Sequence, residues 1–402
     1  MKKTKSHSGK AASKPSTERK SRAADYSSTA PKKTSPSGPR VALIHDFLVK
    51  MGGAEKVLKV FADMYPDAPI FTLLYDEKVC GAAFPRSRVR TSFLQKAPRF
   101  LRKRQRYLFP LMPRAIESFN LSGFDLIISS SNAYAHGVLV PSHARHICYC
   151  HSPMRYAWDY AHQYIREQNA GPLKSHMIEK LIGNVRMWDQ IACDRADSYI
   201  ANSRHVSNRI KKYYRKDAAV LYPPVETRHF KPTKEHQGYF LIVAALTPFK
   251  KIDLAVQLFN KIGKRLVVVG SGAQYEYLKR MAGPNVDIMG YKDDKTVVEL
   301  MQNCRAFIMP NEEDFGIAPV EAMAAGKPVL AYGKGGALET VIPGETGELF
   351  YEQTIESMED GLGRLIVNEP KYDAEKIHAH ANGFSHKNFI EGWKQIVKIT
   401  PA

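Results

Sequence analysis

Short β-rich apolar runs alternate with helical patterns along most of this chain, and that alternation restricts the fold more than any other feature. In the first half the runs are Val41 to Phe47, Ile70 to Leu74, Phe124 to Ser129, His146 to His151 and Ser198 to Ala201, with helical stretches such as Glu55 to Met64 between several of them. Strands separated by helix-length segments are joined by crossovers, and crossovers build a parallel sheet with helices on its faces. The second half repeats the rhythm with Phe240 to Leu246, Leu266 to Gly270, Val286 to Gly290, Ala306 to Pro310 and Val329 to Tyr332. After the first of these, Ile252, Ala255, Val256, Phe259 and Ile262 recur at helical spacing and form a core-facing stripe.

The 402 residues suffice for two to three domains at about 150 residues each. Pro223 and Pro224 end regular structure, and Lys231 to Gln237 offers nothing to bury, which places a linker over residues 223–237. The expected architecture is α/β: two doubly wound, Rossmann-like domains, residues 40–222 and 238–384, facing each other across a cleft, with ligands at the carboxyl ends of the strands. A last helical pattern within residues 385–402, set off by Gly383, is expected to return to the first domain.

Net charge is +19, and residues 1–40 hold eleven Lys or Arg against Glu18 and Asp25. A tail so polar, residues 1–39, is expected to be disordered. A second basic cluster, Arg86 to Arg114, carries ten basic residues and no acid, interleaved with Phe93, Leu94, Phe100, Leu101, Tyr107, Leu108, Phe109, Leu111 and Met112. Such a segment either docks on an anionic membrane surface or turns its apolar side to the core. The longest clean apolar run, Tyr239 to Leu246, falls far short of the roughly 18 to 20 residues that span a bilayer. The first 39 residues also lack the apolar stretch of a secretory signal. The cysteines, Cys80, Cys148, Cys150, Cys193 and Cys304, are odd in number and include no CxxC pair, as expected for buried thiols in a reducing cytoplasm.

The stretch from Pro310 to Leu330, PNEEDFGIAPVEAMAAGKPVL, is the richest in chemistry. A strand ends near Pro310, a loop carries Glu312, Glu313 and Asp314, and Phe315-Gly316-Ile317 opens a helix that Gly326 and Lys327-Pro328 stop. The helix start would offer free backbone N–H groups to a phosphate or to sugar hydroxyls. Glu313 in the loop and Glu321 a turn into the helix would address different parts of one extended ligand. Gly52-Gly53 after the opening strand would let backbone approach a phosphate. His151 ends a strand, and Asn202, Ser203 and Arg204 end another. Gly270-Ser271-Gly272 and Gly335-Gly336 read as tight strand-to-helix turns. No DxD triplet and no cluster with metal-ligand spacing occurs, so no metal is expected.

These residues resemble the retaining GT-B glycosyltransferases of family 4, through Glu313 and Glu321 at E-x7-E spacing inside EDFGIAPVEAMAAGKPV, and the likeness extends over roughly residues 40–400. VALIHDF, GGAEKV, HSPMRYAWD, YPPVE and PFKKIDLAV look closest to the bacterial mannosyltransferases of O-antigen and exopolysaccharide synthesis. The resemblance implies a GT-B fold with an acceptor domain first and a nucleotide-sugar domain second. It implies that Glu321 holds the nucleotide ribose diol, that Glu313 contacts the donor sugar's hydroxyls, and that His151 points at that sugar. Gly52, Gly53, Phe315, Gly316 and Ile317 would complete the donor site. The family places an Arg and, five residues later, a Lys after the first strand of the second domain; here Lys250 matches the Lys, Lys251 stands beside it, and Ala245 occupies the Arg position. A departing diphosphate needs such cations.

The expected reaction is metal-independent transfer of a hexose, mannose from GDP-mannose, with retention, onto a lipid-linked or saccharide acceptor. The nucleotide sugar is then a substrate, no cofactor is required, and the enzyme is cytoplasmic, peripheral at the inner membrane face. Two alternatives stand beside this reading. A nucleotide-sugar epimerase or phosphorylase shares such domains and is separated by product analysis. A polyanion-binding protein would bind through its basic segments, although no nucleic-acid motif occurs.

Overall fold

A computed structural model describes residues 38–167 and 171–399. The basic tail expected over residues 1–39 thus lies, but for its last two residues, outside the described residues.

Seven parallel strands build the first sheet: β1 (Val41–Leu48), β2 (Ile70–Tyr75), β3 (Val89–Thr91), β4 (Leu126–Ser131), β5 (Arg145–Cys150), β6 (Ser198–Ala201) and β7 (Ala218–Val220). Their spatial order is β3-β2-β1-β4-β5-β6-β7. β2 and β4 are buried along their whole length, because helices cover both faces of a parallel sheet. Six parallel strands build the second sheet: β8 (Phe240–Val243), β9 (Leu266–Val269), β10 (Val286–Gly290), β11 (Ala306–Met309), β12 (Val329–Tyr332) and β13 (Gly347–Phe350). Their order, β10-β9-β8-β11-β12-β13, repeats the topology of the first sheet. Both sheets are doubly wound, and the chain has the GT-B fold.

In each sheet the winding reverses next to the first strand, between β1 and β4 and between β8 and β11. The loops that leave those strands diverge there, and the gap between them is where ligands seat in open α/β sheets. The Ile252–Ile262 helix buries Ile252, Ala255, Val256 and Phe259 against the second sheet, as the spacing of its apolar residues predicts.

The His386–Ile399 helix packs on the first half. Trp393 is fully buried, its ring 4.5 Å from that of Phe61, and its Nε1 donates to Tyr65 Oη at 3.0 Å. The chain crosses between the halves beside itself: Val225 N–H donates to Phe384 O at 2.8 Å, and Val225 bridges to Ser385.

The basic segment is broken into β3, a 3-10 turn (Phe93–Lys96), a five-residue helix (Arg99–Lys103), two further turns and the Met112–Glu117 helix. Its apolar residues divide between two environments. Leu94, Leu108 and Met112 are buried in the core and Leu101 and Phe109 pack against it, whereas Phe93, Phe100, Tyr107 and Leu111 are exposed. Not every cation is free for a partner. Arg88 donates to the carbonyls of Ala62, Tyr65 and Ala68, and Arg102 to that of Ala97. All five cysteines are buried free thiols. Among the described residues no helix is long and apolar enough to cross a membrane.

Candidate functional site

A cleft of about 840 Å³ opens between the carboxyl ends of the two sheets, and the four loops at the winding reversals line it. Gly52 and Gly53 follow β1, Asn132 follows β4, Ala244, Ala245 and Lys250 follow β8, and Asn311 and Glu313 follow β11. Residues about 60 to 260 positions apart in sequence therefore face one space because the topology brings those loop ends together.

On the second half, Gly316 caps the Ile317–Ala324 helix with φ 91°, a left-handed conformation that glycine adopts without strain. That turn points the helix start, with Gly316 and Ile317, into the cleft. Phe315 also lines it, but its ring is buried between Tyr222 and Phe384, at centroid distances of 5.7 and 5.5 Å, so it anchors the turn from below. Glu313 forms an ion pair with Lys250 and accepts from Asn311 Nδ2 at 3.0 Å. Burial pushes the Glu313 carboxyl up, and Lys250 with Asn311 more than offsets it, holding the group below the ordinary glutamate range. Gly335 and Gly336 do not line the cleft; they support the Glu313 loop, with Gly336 N–H donating to Glu313 O at 2.8 Å.

Lys251 is not among the lining residues. It takes φ 52° at the junction between the Pro248–Lys250 turn and the following helix, and so serves the bend between them. Ala245 is exposed in the cleft, and besides Lys250 the cations that line it are Lys50, Lys56 and Lys292.

On the first half, Gly53 begins the Gly53–Met64 helix and meets the second half directly. A Cβ there would lie 2.8 Å from Ile317 Cδ1. Glu55 accepts the Gly52 N–H at 2.9 Å, closing the first turn. Lys56 Nζ reaches across to Glu321 Oε1 at 2.8 Å. Burial pulls the Lys56 amine down, but Glu321 outweighs it and holds the amine above its usual value. His151 lines the cleft directly after β5, and burial with His45 nearby depresses its ring to about 3. Of the Asn202-Ser203-Arg204 run only Asn202 lines the cleft. Ser203 caps the Arg204–Tyr214 helix through its hydroxyl, and the Arg204 and His205 N–H groups donate to Glu339 at 2.8 and 2.9 Å. Asp314 ties the halves further, accepting from Arg209 at 2.8 Å.

The structure thus brings together Gly52, Gly53, His151, Lys250, Glu313, Phe315, Gly316, Ile317 and Glu321, and leaves Lys251 outside. Sequence reasoning passed over Lys56, three positions after Gly53, and the buried polar group of His45, Asp46 and Ser130. The signal for the latter is a His-Asp pair inside the apolar strand VALIHDFL. Asp46 accepts four backbone N–H groups, those of Asn132, Ala133, Tyr134 and Ala135, at 2.6 to 3.1 Å, and so fixes the loop after β4. Among the described residues no group of three or more His, Cys, Asp or Glu is placed to hold a metal ion.

Fold and cleft define a GT-B scaffold. More particularly, residues 51–229 match the model described as Glycosyltransferase Family 4 and residues 225–380 that described as Glycosyl transferases group 1, one on each half. An uncharacterized glycosyltransferase of Methanocaldococcus jannaschii is 26% identical over 218 residues, 52% of this chain and 62% of that one. The alpha-1,3/1,6-mannosyltransferase ALG2 of Dictyostelium discoideum is 27% identical over 268 residues, 53% of this chain and 64% of its own. The chain therefore spans under two thirds of the length of these relatives. Among solved structures, Anabaena Alr3699/HepE in complex with UDP and glucose aligns with a TM-score of 0.62 at 17% identity, covering 90% of this chain and all of that one.

Proposed function

We propose that this protein is a glycosyltransferase that moves mannose from GDP-mannose, with retention, onto a saccharide or lipid-linked acceptor. The observation that carries the reading is the pair of cleft carboxylates, Glu313 and Glu321, each ion-paired with a lysine, Lys250 and Lys56, at the winding reversals of two facing sheets. A nucleotide sugar presents a diol for a carboxylate and a diphosphate for cations and backbone N–H groups, and this cleft offers both kinds of partner. In the proposed step the bond from the anomeric carbon to the diphosphate breaks and a bond to the acceptor oxygen forms on the same face. The acceptor's proton passes to the departing phosphate oxygen. Lys250 stabilises the charge that develops there.

Mannose is supported by the motif resemblance and by the similarity to a mannosyltransferase; HepE, solved in complex with UDP and glucose, makes a uridine donor the competitor to test. Incubation with GDP-mannose, UDP-glucose and UDP-galactose, with nucleotide diphosphate release as readout, decides the donor. Release from none of them in the presence of a saccharide acceptor would remove the transferase reading. Anomeric configuration of the product by NMR decides retention. The domain matches favour neither an epimerase nor a polyanion-binding protein.

The proposed site of action is the inner face of the membrane. Exposed Phe100 and Tyr107 stand among exposed Arg99, Arg104 and Arg106, which suits an anionic surface, at about 1 kcal/mol per basic residue. Replacing these three arginines by Glu should abolish co-sedimentation with phosphatidylserine vesicles at low salt. Equal binding of the charge-reversed variant and the parent would refute the docking.

A further inference from the structure

Beneath the cleft, a chain of buried polar groups runs from the Gly52 loop to His151. Its first members are Glu55 and His45, and its last link is Ser130. Glu55 Oε2 accepts the Gly52 N–H at 2.9 Å, and Glu55 Oε1 lies 3.8 Å from His45 Nε2. His45 Nδ1 lies 3.0 Å from Ser130 O and 3.2 Å from Ser130 Oγ. Ser130 Oγ lies 2.8 Å from His151 Nε2. The register of β1 on β4 sets His45 directly opposite Ser130.

The direction of every hydrogen in this chain follows from what each atom can do. Ser130 O is a carbonyl and only accepts, so His45 Nδ1 carries a hydrogen whether the ring is neutral or charged. Ser130 Oγ therefore faces a donor on the His45 side. Its own hydrogen is buried, and on its other side Oγ meets His151 Nε2. Leaving that hydroxyl hydrogen unbonded would cost about 1 to 3 kcal/mol, so it is donated to His151. His151 Nε2 then accepts, and in the neutral ring the single hydrogen lies on Nδ1, the nitrogen that Ser130 does not engage. The groups facing His151 are His45, Glu55 and the edge of the Tyr149 ring, at 5.2 Å between centroids. Burial and His45 disfavour a second proton on it, against the weaker pull of Glu55.

We infer that His45 and Ser130 are positioning residues that hold His151 in its Nδ1–H tautomer, so that it presents a hydrogen-bond donor, and no base, to the sugar of the bound donor. The group it takes is a neutral acceptor oxygen, a hydroxyl or the ring oxygen of a hexose. Glu55 lies 3.8 Å from His45 Nε2 on the far side of that ring, and its other oxygen holds the Gly52 loop. The sugar contact rests on the transferase reading; the tautomer does not.

The test separates the two. The full chain is labelled with 15N-histidine, and long-range nitrogen–proton correlation spectra are taken without any donor, His151 being assigned by its loss in His151→Gln. Expected are the shifts of a neutral ring protonated at Nδ1, unchanged from pH 5 to 8. Ser130→Ala should lose that single-tautomer pattern and Ser130→Thr, which restores the hydroxyl, should keep it. His45→Leu should also lose it; where that variant does not fold, the Ser130 pair decides. An imidazolium at pH 6, an Nε2–H ring, or an unaltered tautomer in Ser130→Ala overturns the inference. These spectra stand whether or not transfer is detected. Where it is, Ser130→Ala should lower kcat about tenfold with little change in the donor KM, and Ser130→Thr should restore it, tenfold being one hydrogen bond of about 1.4 kcal/mol at the transition state. Equal kcat in Ser130→Ala and the parent overturns the positioning role.

Discussion

Lys56 and Glu321, 265 residues apart in sequence, meet across the cleft at 2.8 Å, so the carboxylate expected to hold a ribose diol has a lysine of the opposite half as its partner. Glu321→Ala should weaken nucleotide diphosphate binding by roughly 10- to 150-fold, the loss of about 1.5 to 3 kcal/mol for a charged hydrogen bond. Calorimetry showing unchanged affinity would take Glu321 out of the nucleotide site.

Lys250 lines the cleft beside Glu313, and in the proposed reaction it acts on the leaving group. Its charge matters most as the diphosphate departs, so Lys250→Ala should lower kcat by far more than it raises the donor KM. Steady-state kinetics with the loss confined to KM would contradict that role.

The same pair has a pH signature. Glu313 is held below its usual range in the folded chain, so the pair's stabilising contribution is present above the ordinary glutamate range and disappears as pH falls through the lowered value. Glu313→Gln mimics the protonated form. Its melting temperature should therefore lie below that of the parent at pH 7, and the gap should close as the pH falls below the ordinary glutamate range. A gap that widens on acidification would reverse the assignment.

Gly53 allows the two halves to meet, since a Cβ at that position would lie 2.8 Å from Ile317 Cδ1. Gly53→Val should force the cleft open, at an overpacking cost of about 1 to 3 kcal/mol, and raise the donor KM. Ile317→Ala in the same chain should recover most of the loss. No recovery would locate the defect in the Gly52-Gly53 loop itself.

The His386–Ile399 helix completes the first half's core through Trp393. Trp393→Ala removes a fully buried indole and its bond to Tyr65, and should destabilise the chain by about 3 to 5 kcal/mol in denaturant titration. A change under about 1 kcal/mol would mean that this helix is docked without contributing to the core.

The interior strands of both sheets were legible because burial on two faces demands apolar runs. The strands that sequence reading missed, β3, β7 and β13, are all at sheet edges. Each is three or four residues long, too short to show a pattern, and β3 and β7 include exposed positions. Pairing with β2, β6 and β12 makes them strands, and that is a tertiary event. Glu313, Glu321 and Lys250 could be read because spacing around a strand end and a helix start carries them. His45 and Ser130 could not, since their meeting depends on the register between β1 and β4, whose paired residues lie 85 positions apart. Lys251 was misplaced for a local reason: its neighbourhood in sequence is Lys250's, but a left-handed turn separates them.

Two crossings at Val225 and Ser385 leave the last helix on the first half, and this has a consequence for synthesis. Trp393, which fills the core beside Phe61 and bonds to Tyr65, follows Tyr65 by 328 residues. At about 5 to 20 residues per second the ribosome needs roughly 15 to 65 s to add them, whereas domains generally fold in order from the N-terminus as they emerge. The second half has all of its strands before that helix is made. The half translated first is therefore the half finished last, and during that interval its unfilled Phe61 pocket is what a chaperone would meet.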